Sequence, residues 1–249
     1  MNGPADSAYD VVVIGAGTAG IPCAISAAQG GARVLLVEKD SLIGGTLHIS
    51  GGHLAAAGTR RQAERGIEDS PEAHLDDIRR ISQGTAREDL IQIVASNAAQ
   101  TVDWLDERGF AFAAETPRIV YGHEPYHTAR TYYGRDEGMS ILEVLRAELE
   151  KTQAGHDLTL WTNAPVTEIR QDDQGRVRGV TVYREGRDVE IDAPSVVIAT
   201  GGFSNIFTDE LPCIDVYDAT LTLKGLQIIA KRNEKTAKCS GRKKGEDKE

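Results

Sequence analysis

Cysteine is scarce in this 249-residue chain. There are three, Cys23, Cys213 and Cys239, with no CxxC pair among them. An odd count at long spacings excludes a disulfide framework and a thiolate zinc site, and it points to a reducing compartment. Long hydrophobic runs are missing too. The longest, Val11–Ile14 and Val34–Val37, are far too short to cross a bilayer. Met1–Asp10 has neither the basic start nor the apolar stretch of a signal peptide. The expectation is a soluble, cytoplasmic protein with no membrane contact. Positive charge is in deficit: 28 Lys and Arg stand against 38 Asp and Glu, a formal net charge of −10. A broad nucleic-acid surface is therefore not expected. Neither Ser50 nor Ser204 lies in a GxSxG elbow, which argues against a hydrolase. His123 and His127 are four apart in a segment rich in Pro and Tyr, with no third ligand in sight, so no metal site is expected. Cys23, among Ala and Ile, reads as a small core residue rather than a nucleophile. Arg130 and Arg135 flank two tyrosines and suit either an anionic ligand or a solvated face.

What the chain does have begins at residue 11. Val11-Val12-Val13-Ile14 is a continuous β-branched run that fits a strand buried on both faces, as in a parallel sheet. Gly15-Ala16-Gly17-Thr18-Ala19-Gly20 follows at once, then a helix of small residues from about Thr18 to Gln29, stopped by Gly30-Gly31. A second buried strand, Val34–Val37, ends at Glu38. This is a complete βαβ unit carrying GxGxxG in its proper context. Each glycine has a job: Gly15 permits the tight turn, Gly17 lets backbone approach a pyrophosphate, and Gly20 lets the helix pack closely on the sheet. The helix N-terminus offers free N–H groups and partial positive charge to phosphates. Glu38 is placed to accept from the ribose hydroxyls of an adenosine, and its charge would repel a 2′-phosphate, which disfavours NADP. The fingerprint by itself leaves FAD and NAD both open, and an NAD-dependent dehydrogenase is the alternative it carries.

Further along, Ser70-Pro71-Glu72 opens a helix reaching about Ser82. A second runs from about Glu88 to Glu107, stopped by Gly109, with Leu90, Ile91, Val94, Ala98, Val102 and Leu105 at helical spacing. Residues 116–138 read as irregular, and a helix resumes over residues 140–150. From Leu158 the pattern is strands. Thr159-Leu160-Trp161 comes first, then 166–170, 177–183 and 189–191 separated by polar turns, and finally Ser195–Ala199 leading into Thr200-Gly201-Gly202. Three features favour FAD: Lys39 with the loop Gly44-Gly45-Thr46, the antiparallel meander, and the closing strand that ends in Ala-Thr-Gly-Gly. The last two together are the arrangement of FAD-binding domains of the glutathione-reductase type.

On these residues the chain resembles the fumarate reductase/succinate dehydrogenase flavoprotein family, in particular the soluble branch that includes 3-ketosteroid dehydrogenases. The matching segments are DVVVIGAGTAGIPCAISAAQGGARVLLVEK, GGTLHISGG, SPEAHLDDI, VDWLDERG, RTYYGRDEGMSILEVL and VVIATGGFSN. The resemblance implies an α/β fold: a Rossmann-like FAD-binding domain over residues 1–206, with a helical insertion at about 53–155 and the antiparallel β-meander. It implies that FAD is contacted by Gly15, Gly17, Thr18, Ala19, Gly20, Glu38, Lys39, Gly44, Gly45, Thr46, Ser50, Gly51 and Gly52. The backbone of Val166 would meet the adenine, and Ala199, Thr200 and Gly201 would line the nucleotide from the other side. The family's membrane-bound members attach FAD to a histidine in this glycine loop. The pattern around His48 is shifted from theirs, which implies non-covalent FAD. The implied activity is that of an oxidoreductase moving a hydride between flavin and a C–C bond next to a carbonyl or carboxylate, with a small-molecule substrate or electron acceptor.

The likeness fades where the family's capping domain would begin. Residues 207–249 do not match, are partly basic, and are expected to be a poorly ordered tail. The chain is thus expected to be truncated before the cap. Its alternative role is an FAD-binding fragment or subunit without activity of its own, with a partner chain completing the flavin site. No catalytic acid or base is identifiable from the sequence.

Overall fold

The computed structural model describes residues 8–121 and 125–199, which form two compact units: 8–50 with 142–199, and 51–121 with 125–141. His123, Thr200, Gly201, Cys213, Cys239 and the 207–249 tail lie outside the described residues. In chain order the elements are β1 (Val11–Ile14), α1 (Gly20–Gln29), β2 (Val34–Val37), β3 (Leu54–Ala55), α2 (Arg60–Glu64), α3 (Pro71–Ser82), α4 (Glu88–Glu107), β4 (Thr131–Tyr132), α5 (Gly138–Gly155), β5 (Leu158–Trp161), β6 (Val166–Gln171), β7 (Val177–Arg184), β8 (Arg187–Asp192) and β9 (Ser195–Ile198), with one 3₁₀ turn at Gly45–His48.

The first unit holds a parallel sheet of order β5-β2-β1-β9. Val12 pairs with Leu35 on one side and Val196 on the other, and Leu36 pairs with Leu160. All of β2 is buried, which is why its sequence is apolar at every position rather than alternating. The meander β6-β7-β8 is antiparallel, as expected. Its inner residues Val180, Val182 and Ile191 join Val12, Leu35 and Val37 in one core, so the meander covers the sheet. The first helix begins at Gly20 rather than near Thr18, because the chain through Ala19 is taken up by the glycine turn. The helix expected over 140–150 runs from Gly138 to Gly155, since nothing in the intervening sequence breaks it.

In the second unit, α3 begins on Ser70, whose side chain accepts from the Ala73 N–H at 3.1 Å, and ends as expected at Ser82. The α4 helix also has its expected bounds, with Gly109 beyond it at φ +77°. Two features were not expected. Leu54–Ala55 and Thr131–Tyr132 pair as a short antiparallel ribbon within the stretches read as helical or irregular. The short α2 is held by a reciprocal capping box between Thr59 and Gln62.

Arg130 corrects the surface or anion-ligand reading. It is 1% exposed. Its Nε and Nη2 fork onto Asp69 at 2.9 and 2.7 Å, and Nη1 donates to Asp77 at 2.8 Å. Two carboxylates with buried side chains thus engage all three of its nitrogens, while Arg135 is exposed. Burial by itself would raise the Asp77 carboxyl. Hydrogen bonds from Arg80 and from the His127 amide, with the Arg130 charge, instead hold it below the usual carboxylate value. His127 also places Nδ1 3.2 Å from Asp77. No group of three His, Cys, Asp or Glu suited to a metal occurs among the described residues.

His74 is fully buried beside this network, edge-on to Tyr126 at 5.3 Å, and neither ring nitrogen has a hydrogen-bond partner. Burial, aided by the Arg130 charge and opposed by Asp69 and Asp77, pushes its pKa down to about 4 from 6.5. The unfolded chain therefore takes up a proton between those values while the native state does not, so stability falls as pH drops through that window. His74→Leu is expected to remove this part of the acid slope in urea midpoints measured from pH 7 to pH 4, while leaving the neutral-pH midpoint equal or higher. Identical slopes for the two proteins would count against it.

Candidate functional site

The parallel sheet places its carboxyl ends around one cleft. Ile14, Val37 and Ile198, the last residues of β1, β2 and β9, all line it, and its volume is about 1140 Å³. Ligands of open α/β sheets bind at these strand ends, and the space exceeds that of pockets for drug-sized ligands, roughly 300–1,000 Å³. All lining residues belong to the first unit.

The fingerprint forms the floor. Gly15 turns the chain at φ +98°, its N–H donating to Val37 at 2.8 Å. Gly17 faces open space: a Cβ there would meet nothing within 4 Å, so the cleft is empty where a side chain would otherwise stand in the way of a phosphate. The α1 N-terminus behind it has no side-chain cap and no acidic residue in its first turn, in contrast to α3 with Ser70 and Glu72. Its positive dipole end is therefore not offset by a carboxylate and favours an anion, although the Ile21 N–H is taken by the Gly17 carbonyl at 3.1 Å and Pro22 has none. Gly45 crosses above, its Cβ position 3.7 Å from the Gly17 Cα.

Glu38 is fixed beside the floor. It is buried, and its Oε2 accepts the Ala16 N–H at 2.8 Å while Oε1 accepts the Asp40 N–H at 3.1 Å. Its backbone is held as well, N–H to Trp161 at 2.8 Å and carbonyl from Ala164 at 2.9 Å. Each carboxylate oxygen keeps acceptor capacity beyond its one protein bond, which suits a ribose diol. On the far wall, the β6–β7 register shifts between Val166 and Glu168 and leaves Thr167 outside the ladder. Such a bulge frees local backbone groups, and both Val166 and Thr167 line the cleft. A diol acceptor, a phosphate floor and a wall of backbone groups fit the adenosine diphosphate half of FAD.

The structure thus brings together Gly15, Gly17, Thr18, Ala19, Glu38, Lys39, Gly45, Thr46, Val166 and Ala199. It places other expected residues elsewhere. Gly20 is buried beneath the turn, where a Cβ would lie 1.7 Å from the Gly15 carbonyl oxygen. Gly44 backs the loop, its N–H donating to Ala16 at 2.7 Å. Ser50 is not among the lining residues, and Gly51 and Gly52 fall in the second unit, where Gly52 packs against the Glu137 carbonyl and Gly138. Among the lining residues that the sequence reading missed are Asp40, Ile49, Ala164, Pro165, Thr167 and Glu168. Asp40 directly follows the Glu-Lys pair and was within reach; the others needed the fold. His48 donates Nε2–H to the Ile43 carbonyl oxygen at 2.9 Å and is not a lining residue. Burial pushes the Cys23 thiol up to about 11, so it stays protonated near neutrality and is no nucleophile.

Comparison with known proteins settles the cofactor: the family of FAD binding domains matches residues 10–225. The chain belongs to this family. As a member of the FAD-binding-domain family, it takes FAD as its cofactor. Among its relatives is the fumarate reductase (cytochrome) of Shewanella frigidimarina, 34% identical over 199 residues, which are 78% of this chain and 33% of that protein. Among solved structures, the 3-ketosteroid-Δ4-(5α)-dehydrogenase of Rhodococcus jostii RHA1 superposes with a TM-score of 0.67 at 26% identity, covering 89% of this chain and 54% of the other. The open conformation of a flavocytochrome c3 fumarate reductase gives 0.67 at 27% identity, covering 92% and 40%. The fold is therefore the Rossmann-like one of this family, and the family match favours FAD over the NAD alternative. The chain spans about a third of the length of the Shewanella relative. No helix among the described residues is long and apolar enough to cross a membrane.

Proposed function

We propose that the chain forms the cofactor-holding part of a flavin-dependent oxidoreductase that acts on a C–C bond adjacent to a carbonyl or carboxylate. The observation that carries this is the cleft itself, with the Glu38 carboxylate anchored beside the open Gly17 floor. The chemistry follows that of similar proteins, a fumarate reductase and a ketosteroid dehydrogenase. When bound, FAD supplies a two-electron acceptor or donor of hydride. The protein's own part is positional: Glu38 orients the ribose, and the α1 N-terminus and glycine turn hold the diphosphate. We further propose that FAD is held without a covalent bond, which the engagement of His48 Nε2 by Ile43 supports.

Glu38→Ala is expected to weaken FAD binding at least tenfold. It also leaves the Ala16 N–H without its acceptor, a loss of about 1–3 kcal/mol of stability, to be read from FAD titration and urea midpoints. FAD affinity equal to that of the parent would contradict the role given to Glu38.

The reaction class is tested anaerobically. The flavin is reduced chemically, and fumarate, urocanate or an α,β-unsaturated 3-ketosteroid is added. Return of the oxidised flavin bands with such an activated alkene, and not with an isolated one, is the expected result; no return with any of them contradicts the proposal for this chain alone. That second outcome would favour another reading, motivated by the 33% coverage of the relative: an FAD-binding unit whose turnover draws on protein beyond this sequence, including a partner chain.

A further inference from the structure

His74, on α3, is not a residue of the nucleotide cleft. It is fully buried, and among the described residues neither ring nitrogen has a hydrogen-bond partner. A polar group so placed costs free energy for as long as it stays covered. The site has no room for a proton on the ring either. The charged groups facing it are Arg130, Asp69 and Asp77. Arg130 has the wrong sign, and the carboxylate oxygens are already taken. Asp69 Oδ1 accepts from the Ser70 N–H and Arg130, and its Oδ2 accepts from Gln62 and Arg130. Asp77 Oδ1 accepts twice from Arg80, and its Oδ2 accepts from the His127 N–H and Arg130. Two donors fill the lone pairs of each oxygen.

The cover over His74 is the strap formed by residues 125–129. Tyr126 stands edge-on to the His74 ring at 5.3 Å, with the Arg130 guanidinium 5.2 Å from its own ring centre. Among the described residues, no main-chain hydrogen bond ties this strap to other main chain. Side chains hold it instead. Arg80 donates to the Pro125 carbonyl at 2.7 Å, Asp77 takes the His127 N–H at 3.0 Å, and Gln62 donates to the Ala129 carbonyl at 3.0 Å. Main-chain pairing resumes at Arg130, whose carbonyl accepts the Ala56 N–H at 2.9 Å. The strap can therefore leave α3 without breaking a strand or a helix, with Arg130 as its pivot.

We infer that residues 125–129 are a proton-operated latch, which lifts from α3 when His74 takes up a proton while α3 and α4 stay folded. Burial and the Arg130 charge push the covered ring down to about 4, against 6.5 for a histidine in water. The lifted state takes up the proton below 6.5, and the closed state does not until about 4. The latch is thus closed near neutrality and opens as pH falls through that window. From pH 7 to pH 5 lifting becomes about 20-fold more favourable. His127 does not drive this. Its Nδ1 lies 3.2 Å from Asp77, so a proton there strengthens the closed contact.

The test is amide hydrogen exchange of the full chain, read by NMR from pH 7 to pH 5 and corrected for the intrinsic rate. The His127 N–H reports the latch, and the α4 amides report the unit beneath it. The opening constant at His127 should rise about 20-fold. It should also be indifferent to low urea, because lifting exposes little surface, whereas the slowest α4 amides should respond to urea. His74→Leu should abolish the rise. Tyr126→Ala uncovers His74 without deleting it, so its His127 amide should exchange fast at pH 7 and hardly change with pH. A His127 amide that matches the α4 amides in rate and urea dependence overturns the inference, since opening is then global. An equal rise in His74→Leu or in Tyr126→Ala also overturns it, because another group is then the one that titrates.

Discussion

Gly20→Ala is expected to lower FAD affinity by roughly a hundredfold, the size of a core overpacking cost read out as binding. The added Cβ would sit 1.7 Å from the Gly15 carbonyl oxygen, 2.9 Å from its carbon and 3.3 Å from the Ala199 Cβ. The first two are backbone atoms of the turn that Gly15 ties to Val37, so no change of rotamer relieves the contact. The α1 helix must back away from β1, and its uncapped N-terminus leaves the cleft floor. Gly155→Ala is the control, since a Cβ there meets nothing within 4 Å. The comparison is a titration of each protein with FAD, followed by flavin fluorescence. A Gly20→Ala protein that binds as the parent does would mean that the close approach of helix and turn has been misjudged.

Arg130→Ala is the second large effect, this time on stability: a loss of about 3–5 kcal/mol, as for other buried ion pairs deprived of one partner. The side chain is 1% exposed, and its partners Asp69 and Asp77 have side-chain exposures of 0% and 4%. Removing the guanidinium leaves both carboxylates buried. Asp77 keeps Arg80 and the His127 amide, and Asp69 keeps only the Gln62 amide and the Ser70 N–H among the bonds described. Asp69 is thus the more stranded, and Asp69→Asn on the Arg130→Ala background should recover part of the loss. Arg130→Lys preserves the charge but not the fork onto Asp69, and should fall between the two. Urea denaturation of the set checks the ordering. An Arg130→Ala midpoint equal to that of the parent would contradict the network's role.

These two residues also mark the limit of what could be read in advance. Gly20 was legible, because the third glycine of the fingerprint has one known packing task and the strand before it, the helix after it and Glu38 supplied the context. The strands β1, β2 and β9 were legible as short apolar runs, although β9, expected to be buried, has an exposed Ser195 and only half-buried Val196, Val197 and Ile198, and α3 announced itself through Ser70, Pro71 and Glu72. Arg130 was not legible. An arginine is buried only when partners are supplied, and here they come from Asp69 and Asp77, 61 and 53 residues away, a distance at which spacing carries no information. The ribbon of β3 and β4 escaped because two-residue strands have no period to detect. The α2 helix had a signal, Thr59 followed by Gln62 at capping-box spacing, within a stretch too short for helical periodicity. In the cleft, the residues given by the βαβ unit were found. Those that reach it from elsewhere, Ala164, Pro165 and Glu168 from the β5–β6 connection and the start of the meander, are set by sheet order and by a bulge, which only the fold supplies.

The most direct test of the central claim, that this cleft holds dissociable FAD, is the visible absorption spectrum of the purified chain before and after acid precipitation. The expected result is a yellow protein, or a colourless one that turns yellow on reconstitution, whose flavin bands pass entirely into the supernatant and whose flavin is identified there as FAD. A folded protein that neither carries nor takes up FAD would contradict the claim, and flavin that stays with the precipitate would contradict the non-covalent attachment.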